Sequence, residues 1–163
     1  MSEVELRAAR LEDLPIFLAL VRSDAPEPHE LSASEQVLRA EFAEVGDNRL
    51  IYFAFDRGEP VGGVQLLLHR ADNDPELADG RRVAHVHHLR VARDRRRQGI
   101  GRWLMTRLEQ EARRLGFAKL TLGVDGWNEP AIALYEALGY RLLKEISPTP
   151  DQRCFYLYKL LSA

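Results

Sequence analysis

The stretch from His85 to Met105, HVHHLRVARDRRRQGIGRWLM, constrains this chain more than any other. Its first part places Val86, Leu89 and Val91 in a strand pattern, its last part is helical, and a charged turn at Arg93 to Arg97 joins the two. At the junction stands RRRQGIG, where Gly99 and Gly101 allow close approach of a ligand to the backbone. The first helical N–H groups have no acceptor within their own helix. That combination suits an anion, most simply a phosphate, and Arg95 to Arg97 add positive charge and paired donors. The same residues also fit a plain turn with solvated arginines. Two familiar phosphate motifs are excluded. The P-loop needs Lys and then Ser or Thr after its last glycine, and Arg102 follows Gly101; the dinucleotide fingerprint needs a third small residue where Leu104 stands.

A chain of 163 residues is most simply one domain, spanning 1–163, with room for a core that needs neither disulfides nor a structural metal. A net charge of −2 argues against general nucleic-acid binding, so the arginine run is a local patch. One cysteine, Cys154, excludes an internal disulfide framework, and no Cys and His cluster has zinc spacing. The charged start MSEVELRAAR lacks an apolar signal core, and no apolar run reaches the roughly 18 residues of a membrane span. The expectation is a cytoplasmic protein without a membrane segment and without a metal.

Val4, Leu6 and Ala8 alternate with charged residues as a strand, and Leu14, Phe17, Leu18 and Val21 follow helical spacing between Leu11 and Arg22. Ala25 to Glu30, APEPHE, reads as a stiff acidic loop, after which Ser32 or Ser34 caps a helix carrying Val37, Leu38 and Phe42. Two strands, Leu50 to Phe55 and Pro60 to Leu68, flank a hairpin turn at Asp56-Arg57-Gly58-Glu59. Gly62 and Gly63 signal a bulge or a close backbone approach. Ala71 to Gly80 reads as a long mobile loop with Leu77 its sole core candidate. A helix from about Gly99 to Leu115 presents Leu104, Leu108 and Ala112 on one face. A strand at Lys119 to Val124, a helix at Pro130 to Leu138, a strand at Tyr140 to Ile146, a loop at Ser147 to Asp151 and a strand at Cys154 to Leu160 complete the chain. The series β, α, α, β, β, β, α, β, α, β, β predicts a mixed α/β sheet with helices on its faces.

Arg96-x-x-Gly99-x-Gly101 at a strand-to-helix junction resembles the acyl-CoA pyrophosphate loop of the Gcn5-related N-acetyltransferases. A second segment, Asn128-x-x-Ala131-x-x-Leu134-Tyr135-Glu136 followed by Gly139-Tyr140, is similar to that family's second cofactor segment. The resemblance extends over nearly the whole chain. It implies an acyl-CoA N-acyltransferase fold with a central, mostly antiparallel mixed sheet. It also implies acetyl-CoA as co-substrate and direct attack by a primary amine on a small molecule or peptide.

The resemblance gives the cofactor the turn residues Arg96, Arg97, Gln98, Gly99, Ile100, Gly101 and Arg102, together with Asn128 and the backbone of Leu89 and Val91. The resemblance implies that the strand splays there from its neighbour, leaving backbone groups free to pair with the pantetheine arm and polarise the thioester. By spacing alone Asn128 is equally a helix cap and Tyr135 a core aromatic. The resemblance makes Tyr135 the acid that protonates the departing thiolate. His87 occupies the place where many relatives carry a basic glutamate, so it is either the base or a structural histidine. Strand alternation puts His85 and His87 on one face and His88 on the other, unless a bulge intervenes, and no carboxylate accompanies them in sequence. Cys154 reads as an inert thiol. Two rival readings remain: a non-catalytic acyl-CoA-binding module of the same fold, and nucleic-acid binding through Arg93 to Arg97, which the overall charge disfavours. The acceptor is not named by the sequence, and a homodimer stays open.

Overall fold

The structure, a computed structural model, describes residues 3–23 and 28–161, and of these the side chains at 28–34 are not described. Strands β1 (Val4–Ala8), β2 (Arg49–Asp56), β3 (Glu59–Leu67), β4 (Val83–Val91), β5 (Lys119–Asp125), β6 (Arg141–Thr149) and β7 (Gln152–Leu160) form one sheet in the order β1-β2-β3-β4-β5-β7-β6. Helices α1 (Leu14–Arg22) and α2 (Pro28–Ala43) lie between β1 and β2 in sequence, α3 (Ile100–Arg114) follows β4, and α4 (Glu129–Ala137) follows β5. β4 runs parallel to β5, whereas β1 with β2, β5 with β7 and β6 with β7 are antiparallel. This is the mixed sheet that the order of sequence patterns implies. The chain divides into two compact units, Met1–Leu66 with His88–Arg107 and Leu67–His87 with Leu108–Ala163.

The first unit is built on an aromatic core. Phe17 on α1 stands edge-on to Phe42 of α2 at 6.0 Å and is tilted against Phe53 of β2 at 5.9 Å, within a cluster that includes Leu18, Val21, Leu38 and Ile51. Truncating a fully buried phenylalanine such as Phe17 costs about 3–5 kcal/mol. Gly62 and Gly63 are close-approach glycines, as the sequence implies. A Cβ at Gly62 would lie 2.9 Å from the Arg90 carbonyl oxygen, and one at Gly63 would lie 2.9 Å from the Phe17 ring. Two expectations are corrected here. Leu11–Asp13 is a single 3₁₀ turn before α1, and α2 begins at Pro28 rather than at Ser32 or Ser34. Proline suits a first helical position, where its missing N–H is not needed. Residues 28–30 of the supposed acidic loop are therefore helical, and Ala25 to Glu27 lie outside the described residues.

In the second unit, the stretch Ala71 to Gly80 is not the bare loop that its polarity suggests. Ala71, Leu77 and Ala78 are all buried and cluster with Leu67. The Asp79 carboxylate accepts the backbone N–H groups of Arg81, Arg82 and Val83 at 2.9–3.0 Å. Lys144 donates to Asp74 at 2.6 Å, and the Tyr156 hydroxyl donates to Asp72 at 2.7 Å. Small apolar residues and paired carboxylates anchor this segment without any periodic signal. The strand also continues through Ser147 to Thr149, where a loop was expected, and β7 begins at Gln152.

Candidate active site

β4 leads into the arginine-rich turn through a 3₁₀ turn at Arg93–Arg95. Arg97 and Gly99 both adopt positive φ, 63° and 83°, which bends the chain sharply into α3. The N–H of Trp103 reaches the Gly99 carbonyl at 3.0 Å, so the amides of Ile100, Gly101 and Arg102 precede the first intrahelical bond. Ile100 is buried and pins the helix start, while Arg96, Arg97, Gln98 and Arg102 are exposed around it. The three arginines do not act alike. Arg95 is committed to an ion pair with Asp56 and donates to Gln98 at 3.0 Å, and its guanidinium holds the Asp56 carboxyl below the ordinary carboxylate range. The positive face of the turn therefore rests on the other arginines and on backbone amides.

Within β4, the parallel register with β5 runs over Val83 to Val86. His85 is buried, and Thr121 donates its hydroxyl to the Leu77 carbonyl at 2.7 Å, so the 2.8 Å contact between His85 Nδ1 and the Thr121 oxygen has the imidazole as donor. Burial, and then the proximity of His87, lowers the His85 pKa to about 4. His85 and His87 have ring centroids 6.4 Å apart, in keeping with one face of the strand. His88 departs from simple alternation. Its φ is +49°, and its Nε2 lies 3.2 Å from Oε2 of Glu41 on α2. A carboxylate does accompany the histidines, supplied from a distant part of the chain, which corrects the expectation that none does. The Glu41 carboxylate also accepts from Gln65 Nε2 at 3.1 Å and lies 3.5 Å from Arg49 Nη1, while Arg49 Nη2 donates to Glu44 at 2.9 Å.

Asn128 caps α4, its side-chain oxygen accepting the Ala131 N–H at 3.3 Å, so the capping role is observed. At the other end of α4, the N–H of Tyr140 reaches the Tyr135 carbonyl and that of Gly139 the Glu136 carbonyl, both at 3.0 Å, with Gly139 at φ +96°. This glycine-terminated cap places the residue after the glycine against the residue three from the helix end. Tyr135 and Tyr140 accordingly meet edge to face at 5.9 Å. The Tyr140 hydroxyl donates to buried Glu109 at 3.0 Å, whereas the Tyr135 hydroxyl has no hydrogen bond among the described residues. Burial pushes the Tyr135 phenol up to about 12. The Cys154 thiol is likewise raised by burial, as an inert thiol would be.

Residues 14–140 match the acetyltransferase (GNAT) family. The chain belongs to that family. Over 73 residues it is 40% identical to [ribosomal protein bS18]-alanine N-acetyltransferase of Escherichia coli, an alignment covering 43% of this chain and 49% of that protein. The chain thus matches about half the length of this curated relative. The fold resembles the solved ribosomal-protein-S18-alanine N-acetyltransferase of E. coli, with a TM-score of 0.72 and 23% identity, covering 98% of this chain and 95% of that one. It also resembles the PaiA N-acetyltransferase of Thermoplasma acidophilum, solved with coenzyme A, with a TM-score of 0.72 and 17% identity over 96% and 98% of the two chains.

For a GNAT chain the diphosphate of coenzyme A is the group to be held, and the residues of the turn fit it. Amides at the start of α3 and the exposed guanidinium of Arg97 are donors suited to a dianion. Sequence reasoning missed Glu41, because a single glutamate in a helix of weak amphipathicity carries no mark of its burial.

Proposed function

We propose that this GNAT chain is an acetyl-CoA-dependent N-acetyltransferase, working as one domain in the cytoplasm on a primary amine. The family match over residues 14–140, which includes the whole Arg96 to Arg102 turn, is the observation that carries this reading. The first acceptor to try is an alanine amino group at the start of a protein, by analogy with the bS18 enzyme. In this reading Arg96, Arg97, Gln98, Gly99, Ile100, Gly101 and Arg102 hold the diphosphate, with Asn128 contributing a further hydrogen bond. The backbone of Leu89 and Val91 pairs with the pantetheine arm and polarises the thioester carbonyl. The neutral amine attacks that carbonyl, and Tyr135 protonates the thiolate that leaves. The Tyr135 hydroxyl makes no hydrogen bond among the described residues and, with its pKa raised by burial, carries its proton at neutral pH, so the proton is in place when the thiolate forms beside it.

Gly101→Asp tests the cofactor assignment. An aspartate in the first turn favours the helix itself, because it complements the helix dipole, while it places negative charge against the diphosphate. Calorimetry should show coenzyme A binding abolished and the thermal midpoint unchanged or raised. Wild-type affinity in this variant would reject the placement. Thiol release on mixing acetyl-CoA with alanyl peptides, lysyl peptides and polyamines identifies the acceptor, and release with none of them favours a binding module without catalysis.

A further inference from the structure

We infer that His88, seated on Glu41, takes the proton from the acceptor amine, in place of His87; the inference rests on the acetyltransferase reading above. His88 holds φ at +49° within a strand, a conformation unfavourable for a residue with a Cβ. It directly precedes Leu89, the first residue whose backbone is assigned to the pantetheine. Its side chain is 27% exposed and that of Glu41 only 9%, so the imidazole is the more accessible of the two groups. Glu41 already has a permanent counter-charge in Arg49, at 3.5 Å, and a neutral donor in Gln65, at 3.1 Å. A second cationic partner is not required to neutralise it. What a histidine adds is a proton that comes and goes near neutral pH.

The chemistry balances as follows. The ammonium of the acceptor gives one proton to the His88 imidazole, and the imidazolium so formed is stabilised by Glu41. The neutral nitrogen attacks the thioester carbonyl carbon, the C–N bond forms, and the C–S bond breaks with its electron pair leaving on sulfur. Tyr135 protonates the thiolate, and the second proton shed by nitrogen as it becomes an amide restores the phenol through water. The charged groups facing His88 include Glu41 from α2 and, through Glu41, Arg49 from β2, which is itself paired with Glu44; His87 is its neighbour along β4. Arg49 draws on the same carboxylate, so Glu41 is shared between a permanent cation and the imidazole.

His88→Asn is the informative variant, because asparagine tolerates positive φ better than other side chains and lacks a basic nitrogen. Single-turnover acetyl transfer should fall about 10²-fold or more near neutral pH. It should recover towards wild type at high pH, where the amine deprotonates unaided, with acetyl-CoA affinity and thermal midpoint unchanged. His88→Gly, which adopts the same φ freely, should behave alike. Glu41→Gln should shift the acidic limb of the rate to lower pH by removing the charge that favours imidazolium. A His88→Asn enzyme with wild-type rate and limb overturns the assignment alone, as does loss of the limb in His87→Gln but not in His88→Asn. A wild-type chain that binds acetyl-CoA yet transfers nothing overturns the acetyltransferase reading and the assignment together.

Discussion

Glu41 and Glu109 are buried carboxylates in different units, and their partners separate them. Glu109 accepts the Tyr140 hydroxyl at 3.0 Å and the Lys159 ammonium at 2.8 Å. Phenols and ammonium groups keep their protons across neutral pH, and burial followed by the charge of Glu109 raises the Tyr140 phenol further. Glu41 has the Gln65 amide and the Arg49 guanidinium among its partners, and the His88 imidazole lies 3.2 Å from it. Burial of an acid alone therefore does not mark a functional site; the chemistry of its partners has to be weighed with it.

The largest effect that sharpens this contrast is on stability. Glu109→Ala leaves Lys159 and the Tyr140 hydroxyl without their buried acceptor and should cost roughly 3 kcal/mol, the lower end for breaking a buried pair because Lys159 keeps some contact with water. For a domain of this size that is a fall of about 6–12 °C in thermal midpoint. Coenzyme A affinity of the folded fraction should not change. An unchanged midpoint together with a displaced acidic limb of the rate would erase the distinction between the two acids.

Next in size is a contrast between two histidines of β4. His85 is held neutral, with a pKa near 4 against about 6.5 in an unfolded chain, so below 6.5 the unfolded state binds more protons. Its contribution is fully present above that pH and is lost as the pH falls towards 4, a swing on the order of 3 kcal/mol. Urea unfolding at pH 7.5, 6 and 4.5 should show the wild type losing more stability than His85→Asn over that interval. Carboxylates common to both proteins cancel in the difference. Parallel curves would mean that His85 is accessible to protons in the fold, and that β4 does not separate a silent histidine from a reactive one.

Much of this architecture is legible in the sequence where the signal is local. Leu104, Leu108 and Ala112 follow helical spacing and are fully buried on α3. Arg57 and Gly58, at φ 53° and 83°, form the hairpin turn expected at Asp56 to Glu59. What the sequence does not reveal depends on partners distant in the chain. Ala71 and Ala78 lie in the loop that the sequence indicates, but their burial with Leu67 and Leu77 is not readable there, and Pro28 looks like a helix breaker until it becomes the start of α2. The pairing of His88 with Glu41 has no motif, and a positive φ at a histidine is not readable as it is at a glycine. The turn proposed to hold the cofactor is legible because its donors are carried by consecutive residues, Arg96 to Arg102. The proposed base is not, because His88 and Glu41 come from two segments that only folding brings together.

The smallest changes sharpen the comparison most finely, because Tyr135 and Tyr140 touch each other and differ mainly in what their hydroxyls do. Tyr140→Phe deletes the hydrogen bond to Glu109 and should cost about 1 kcal/mol, with acetyl transfer by the folded enzyme intact. Tyr135→Phe deletes a hydroxyl with no hydrogen bond among the described residues, and the ring contact at 5.9 Å survives. Stability should therefore hold within about 0.5 kcal/mol, as for a change that breaks no buried interaction. Single-turnover transfer should nonetheless fall on the order of 10²-fold if this phenol protonates the thiolate. Following one turnover is necessary because slow product release hides a slower chemical step in the steady state. Tyr135→Ala separates packing from chemistry, since it alone opens a cavity, at a cost of roughly 3 kcal/mol or more. A Tyr135→Phe enzyme with wild-type single-turnover rate would make the two tyrosines equivalent packing residues and leave water as the proton donor to the thiolate.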